Sequence, residues 1–322
     1  MTHQRPGLAH LTEVLWVGLV AVVIILVAAV AITRWRLPAG STVPAVPAVP
    51  AVPAMIEGVH PVAPPAPGRF APLPVILVHG LFGFDRMGIA GAKLDYFRGI
   101  AKHLETLGCH AHAVKLPRAS SVPERARELC DAIKALGHER VDLIAHSMGG
   151  LDARYALAHF GLASRVRSLV TVGTPHRGSP IADLASDGPL AVARKAIAAL
   201  GVPTTAIDWL TTAALERFNR ETLDVKAVRY ACVVGGIRDD ATQIPLAIQP
   251  IHAYLRKVAG ANDGLVPMAS QYWGETLAEI EADHFAQIGW RLAPRSTFDA
   301  LGLYAFIVAR LGDAPHSVHA AV

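Results

Sequence analysis

The chain has 322 residues, 52% of them hydrophobic, and 30 Lys and Arg stand against 26 Asp and Glu for a formal net charge of +4. That length suits one large domain or two small ones, and so mild a basic excess, without a basic stripe interleaved with aromatics, gives no support to a nucleic-acid partner. Cys109, Cys130 and Cys232 are far apart and form no C-x-x-C pair, so they read as small buried apolar residues rather than as a metal or redox centre.

After an N-terminal tail at 1–13, residues 14–32 form an uninterrupted uncharged run bounded by Glu13 and by Arg34 and Arg36. At about 1.5 Å per residue the run nearly spans a hydrocarbon core of about 30 Å, so a single transmembrane helix acting as a signal anchor is expected. A cleaved signal peptide is the rival, because Ala29-Val30-Ala31 resembles a small-x-small cleavage site. Residues 33–72 form a proline-rich linker with four tandem Val-Pro-Ala units at 43–54. Proline fixes φ and lacks a donor, so this stretch is expected to be a semi-rigid polyproline II spacer. Arg34 and Arg36 after the run, against Arg5 before it, lean toward a cytoplasmic C-terminal side. A spacer holding a domain away from a bilayer argues instead for the periplasm or the cell exterior.

A globular domain is expected over 73–312, followed by a short tail at 313–322. Residues 75–78 make a wholly apolar strand ending in His79-Gly80-Leu81. Residues 95–107 have helical spacing through Tyr96, Ile100, Leu104 and Leu107; residues 110–116 alternate toward a strand; and residues 123–136 form a helix closed by Gly137. Further strands are expected at 141–145, 168–172, 229–234 and 276–280. Strands separated by single helices mean right-handed crossovers, hence a mostly parallel sheet with helices on both faces and a site at the carboxyl ends of its strands. An excursion at about 179–226 offers helices at 189–200 and 207–218. These either pack on the core or form a cap whose apolar face binds an acyl chain.

The stretch Val141-Asp142-Leu143-Ile144-Ala145-His146-Ser147-Met148-Gly149-Gly150 reads as strand, sharp turn and helix with a serine at the apex. Ala145 and Gly149, two residues before and after, leave room for a strained turn; the alternative is an ordinary helix cap. A serine hydroxyl needs a base, and the base an orienting carboxylate. Asp263 in the turn Asn262-Asp263-Gly264 and His284 after the last strand supply both, in the chain order serine, aspartate, histidine. Asp240 is the second candidate for the acid.

The motifs PVILVHGLFG (74–83), AHSMGGLDARY (145–155), VTVGTPHRGSP (170–180), NDGLVP (262–267) and ADH (282–284) make residues 73–292 resemble the α/β-hydrolase lipases, most closely bacterial triacylglycerol lipases of the Pseudomonas and Burkholderia kind. The resemblance implies an α/β-hydrolase fold with a helical cap and a serine carboxylester hydrolase acting on lipid or acyl esters through an acyl-enzyme. It makes Ser147 the nucleophile, His284 the general base and Asp263 the residue that holds the histidine tautomer. The backbone N–H groups of Leu81 and Met148 would form the oxyanion hole, and His176 would be scaffolding. Calcium-binding relatives carry an acidic residue two positions after the catalytic histidine; Ala286 stands there, so neither metal nor cofactor is expected. Acyl transfer or thioester hydrolysis on the same residues, or a tethered binding protein without turnover, are the rival readings.

Overall fold

The computed structural model describes residues 73–311, apart from 82–85, 90–91, 118–119, 187–190, 192–193 and 196–203. The expected membrane span, the proline spacer and the C-terminal tail lie outside the described residues, as does most of the expected helix at 189–200. Among the described residues no helix is long and apolar enough to cross a membrane.

Strand β1 (Val75–Val78) is buried along its whole length. Its side chains alternate between two apolar clusters: Val75 and Leu77 face one, Ile76 and Val78 the other. Each such burial contributes on the order of 1.5–3 kcal/mol. A second, antiparallel pair follows, β2 (Arg86–Ile89) with β3 (Ala92–Asp95). The sequence pattern predicts no element at 86–89 and a helix from Asp95. Helix α1 instead covers Ile100–Thr106, because Arg98 and Gly99 stand at φ 34° and 80°, outside helical backbone. Strand β4 is only Ala111–Ala113. Its chain leaves the sheet where β1 ends: the Leu116 N–H turns to the His79 ring, at 3.0 Å from Nε2, and Pro117 has no N–H to give.

Helix α2 (Val122–Ala135) starts at a reciprocal Ser121–Glu124 capping box with Pro123 in its first turn. Strand β5 (Val141–His146) runs into helix α3 (Gly149–His159), and β6 is Val166–Val172. The one acidic residue of β5, Asp142, is fully buried and accepts from Arg167 Nε at 3.0 Å and Ser168 Oγ at 2.7 Å on β6. In the excursion, α4 (Pro180–Ser186) is followed by α5 (Thr205–Asp208) and α6 (Thr212–Glu221). The last two replace the single helix expected at 207–218. The break comes where Trp209 and Leu210 tighten to i+3 bonds and Thr211 caps the Ala214 N–H. Strand β7 (Arg229–Gly235), helices α7 (Gln249–Ala259) and α8 (Met268–Gln271), β8 (Glu275–Ile280) and α9 (Ala300–Leu311) complete the chain.

The main sheet has six parallel strands in the order β4-β1-β5-β6-β7-β8. Ile100, Leu104 and Ile307 cover one face, bringing α1 and α9 onto it. Leu129, Ile133, Ala153 and Leu157 cover the other with α2 and α3. All the carboxyl ends therefore open on one edge, where the loops after β1, β5, β7 and β8 meet.

Candidate active site

Ser147 is one of two non-glycine residues with positive φ among the described residues, at 55°. Left-handed backbone is costly for a side chain with a Cβ, so local bonds must hold it. Its N–H donates to the Val172 carbonyl at 2.9 Å, and its own carbonyl accepts from Gly150 N at 3.1 Å and Thr174 Oγ1 at 2.8 Å. The neighbours must be small. A Cβ on Gly149 would lie 2.7 Å from the Val78 and His79 carbonyl oxygens, and one on Gly80 would lie 2.7 Å from Ser147 Cβ.

Across the strand ends, His284 Nε2 is 3.0 Å from Ser147 Oγ and His284 Nδ1 is 2.7 Å from Asp263 Oδ2. An ionised carboxylate only accepts, so Nδ1 carries the proton and Nε2 is left bare to accept from the serine hydroxyl. Asp263 is fully buried. Its Oδ1 accepts from the N–H groups of Leu265 at 3.0 Å and Val266 at 2.7 Å, and Gln287 Nε2 donates to Oδ2 at 3.1 Å. The His284 N–H donates to the Asp263 carbonyl at 2.8 Å, so backbone as well as side chains tie the two loops. Ser147, Asp263 and His284, which lie far apart along the chain, are thus brought together. Asp240 is not among them: its carboxylate accepts from Thr242 N at 2.9 Å and Oγ1 at 2.6 Å. Ala286 is buried, and Asp239 pairs with Arg256 at 3.3 Å. His176 is fully buried, bonded to Thr171 Oγ1 at 3.0 Å and stacked on Trp273. Burial and the Arg154 charge hold its pKa well below the ordinary histidine value.

Met148 is buried and precedes the first turn of α3, where backbone N–H groups have no partner within the helix. Leu81 packs against the same cluster as Met148, with Leu215 and Trp209 of the excursion. Two consecutive peptides before Leu81 are clamped. Arg125 Nη2 donates to the His79 carbonyl at 2.8 Å and to the Gly80 carbonyl at 3.2 Å, and the Gly80 N–H donates to Tyr96 Oη at 3.2 Å. His79 Nε2 accepts from Leu116 N–H, which leaves its Nδ1–H to donate to the Gly80 carbonyl at 2.9 Å. A trans peptide sets N–H opposite to C=O, so fixing the Gly80 carbonyl also fixes the direction of the Leu81 N–H.

Arg125 was not singled out by the sequence reading, although its place in the buried series Val122, Arg125, Ala126 and Leu129 of α2 marks a charge on a core face. It is fully buried and paired to Asp152 at 2.8 Å; burial pushes the Asp152 carboxyl up while the guanidinium opposes it. Asp283, beside His284, enters the sequence analysis only as part of the motif ADH. Its Oδ1 accepts from Phe285 N at 2.9 Å and Ala286 N at 3.2 Å, its Oδ2 has no partner among the described residues, and burial pushes its pKa up to about 6.

A parallel sheet of this order, with a serine at the turn after β5 facing a histidine after β8, defines the α/β-hydrolase fold. The chain has that fold, and it resembles the bacterial triacylglycerol lipases. Residues 74–224 match the family described as alpha/beta hydrolase fold. Triacylglycerol lipase 2 of Saccharomyces cerevisiae is 31% identical over 62% of this chain and 64% of its own length. The triacylglycerol lipase of Pseudomonas fragi is 28% identical over 75% of this chain and 96% of its own. That of Burkholderia plantarii is 39% identical, over 35% of this chain and 32% of its own length. The chain thus spans under two thirds of the yeast relative and about a third of the Burkholderia one. Among solved structures, the mature Bacillus licheniformis lipase BlEst2 superposes with a TM-score of 0.56 at 24% identity, over 67% of this chain and 86% of that one. The metagenomic carboxyl esterase MGS0156 does so with a TM-score of 0.60 at 22% identity, over 74% and 75%. Both likenesses are in the fold.

Proposed function

We propose that the protein is a serine carboxylester hydrolase of the lipase and esterase kind, cleaving acyl esters through an acyl-enzyme. The observation that carries this reading is the unbroken line Ser147 Oγ, His284 Nε2, His284 Nδ1, Asp263 Oδ2, with steps of 3.0 Å and 2.7 Å, built on a strained turn at the carboxyl edge of the sheet. Relatives named as triacylglycerol lipases support the same chemistry.

Ser147 Oγ attacks the ester carbonyl carbon as His284 Nε2 takes the hydroxyl proton, and Asp263 stabilises the imidazolium through Nδ1–H. The carbonyl π electrons move onto oxygen. The N–H groups of Leu81 and Met148 receive that oxyanion; losing one such donor typically costs about 3–4 kcal/mol. When the tetrahedral centre collapses, the alcohol leaves with the proton from His284. Water then attacks the acyl-serine with His284 as base, releasing the acid and restoring the serine. Leu81, Leu215, Trp209 and Leu210 form an apolar wall beside Met148 that suits an acyl chain. Residues 14–32 anchor the enzyme to a membrane in this reading, and the proline linker holds the catalytic domain on the periplasmic or outer side.

The test is hydrolysis of p-nitrophenyl esters of increasing acyl length by the full chain in detergent, beside Ser147→Ala. Serine-dependent cleavage rising toward long chains is expected, with Ser147→Ala down by about three orders of magnitude or more. Undiminished cleavage by the variant would remove Ser147 from the chemistry. Cleavage of short esters only would make the enzyme an esterase, and none in the parent would favour acyl transfer or a binding role.

A further inference from the structure

Two side chains outside the reacting trio, the half-buried Tyr96 and the buried His146, join its separate halves. Tyr96 lies in the turn between β3 and α1, and His146 is the last residue of β5, immediately before the serine. His146 Nε2 is 3.1 Å from the His284 carbonyl oxygen, and His146 Nδ1 is 2.8 Å from Tyr96 Oη. The proton positions follow from elementary bonding. A carbonyl oxygen only accepts, so Nε2 carries the hydrogen; a neutral imidazole then has a bare Nδ1, so the tyrosine hydroxyl must donate to it. The tyrosine oxygen in turn accepts from the Gly80 N–H at 3.2 Å. One directional line runs Gly80 N–H to Tyr96 O–H to His146 Nδ1, and His146 Nε2–H to His284 C=O.

His146 is 1% exposed, and the groups facing it are Tyr96, the His284 ring at 4.6 Å between centroids, and the side chain of Gln287. Burial, then the nearby His284, keep it neutral by holding its pKa well below the ordinary value. Loss of the Tyr96 hydroxyl would strand two buried polar groups at once, the Gly80 N–H and His146 Nδ1. Their loops could satisfy them only by moving.

We propose that Tyr96 and His146 are positioning residues, a two-member relay that locks the Gly80–Leu81 loop and the His284 backbone into one register around Ser147. The inference rests on the ester-hydrolase reading given above. The relay makes no hydrogen bond to Ser147 Oγ or to either ring nitrogen of His284, so its effect falls on the alignment of the base and the oxyanion donors, which matters in the transition state more than in ground-state binding.

The experiment is steady-state hydrolysis of one p-nitrophenyl ester by parent, Ser147→Ala, Tyr96→Phe, His146→Gln, His146→Leu and Tyr304→Phe, the serine-bearing proteins normalised to the fraction titrated by a phosphonate and Ser147→Ala to total protein. Tyr96→Phe keeps the ring contacts with His79 and Phe97 and deletes only the hydroxyl. We expect kcat to fall by about ten- to a hundredfold with KM within twofold. Tyr304→Phe is the control: that hydroxyl is fully buried but has no partner among the described residues, and its loss should leave kcat unchanged. His146→Gln, which can still donate to the His284 carbonyl, should retain more kcat than His146→Leu. The double variant Tyr96→Phe/His146→Gln should be no slower than the slower single. Nitrogen-15 NMR of labelled histidine should find His146 as the Nε2–H tautomer, without titration between pH 5 and 9, whatever the reaction proves to be. Normal kcat in Tyr96→Phe, equal losses in Tyr304→Phe, additive losses in the double variant, or an Nδ1–H tautomer would each overturn the relay. Absence of serine-dependent cleavage in the parent would sink the ester-hydrolase reading instead, leaving the tautomer to decide the relay.

Discussion

Replacing Ser147 by glycine and by alanine removes the same hydroxyl but treats the backbone differently, and the sign of the difference measures the strain in the turn. At an ordinary position glycine costs about 0.5–1 kcal/mol relative to alanine, because the unfolded chain gains freedom. At φ 55° alanine keeps its Cβ in the left-handed region, at about 1–2 kcal/mol, and glycine does not. Subtracting the midpoints leaves Ser147→Gly more stable than Ser147→Ala by about 0.75 kcal/mol, a shift of about 1.5–3 °C in Tm for a domain of this size. Both variants lose the partner of His284 Nε2, so that loss cancels between them. Paired thermal and urea unfolding at pH 7 reads the difference, and both proteins should be inert toward esters. If glycine proves the less stable of the two, the turn stores no strain and the physical account of why a serine stands proud there fails. The expected result would make the site a case of stability given up for function.

Asp263→Asn should lower kcat by about 10⁴ through the wrong histidine tautomer, while the protein still folds, because an amide oxygen can keep accepting from Leu265 and Val266 N–H. Steady-state kinetics with a circular dichroism check tests it, and a loss below tenfold would contradict the orienting role. Asp283 has a folded pKa near 6 against 3.8 for the free side chain, so between those values the unfolded chain has released a proton that the folded one retains. Its contribution is therefore full below pH 3.8 and lost as pH rises through 6, by up to about 3 kcal/mol. Asp283→Asn should remove that slope, gaining on the parent between pH 4 and 6 and running parallel above; urea midpoints that track the parent at every pH would refute it.

What could be read from the sequence was whatever a short stretch decides alone. The apolar run 75–78, the small residues around Ser147 and the turn chemistry of Asn262-Asp263-Gly264 each specify their backbone within a few residues, and chain order then assembled the trio. Tyr96 shows where such reading stops. With Ile100 and Leu104 it forms a helical stripe at i, i+4 and i+8, and that spacing suggested a helix from residue 95. The chain instead turns at Arg98 and Gly99, and Tyr96 reaches the same side of the fold from a turn rather than from a helical face. Periodicity reports which way a side chain must point, not the backbone that carries it there. The partners of Tyr96 compound the difficulty: Gly80 is 16 residues back, His146 is 50 residues on, and His284 is a further 138 beyond that. A hydrogen-bonded line across three loops leaves only scattered polar residues in the sequence. Arg125 is the intermediate case. Nothing in the sequence analysis singles it out, and the fold supplies both its burial and its reason, the carbonyls of His79 and Gly80 beside the serine. A charge that breaks an apolar stripe therefore points, in a sequence of this kind, to backbone that must be held in place next to chemistry.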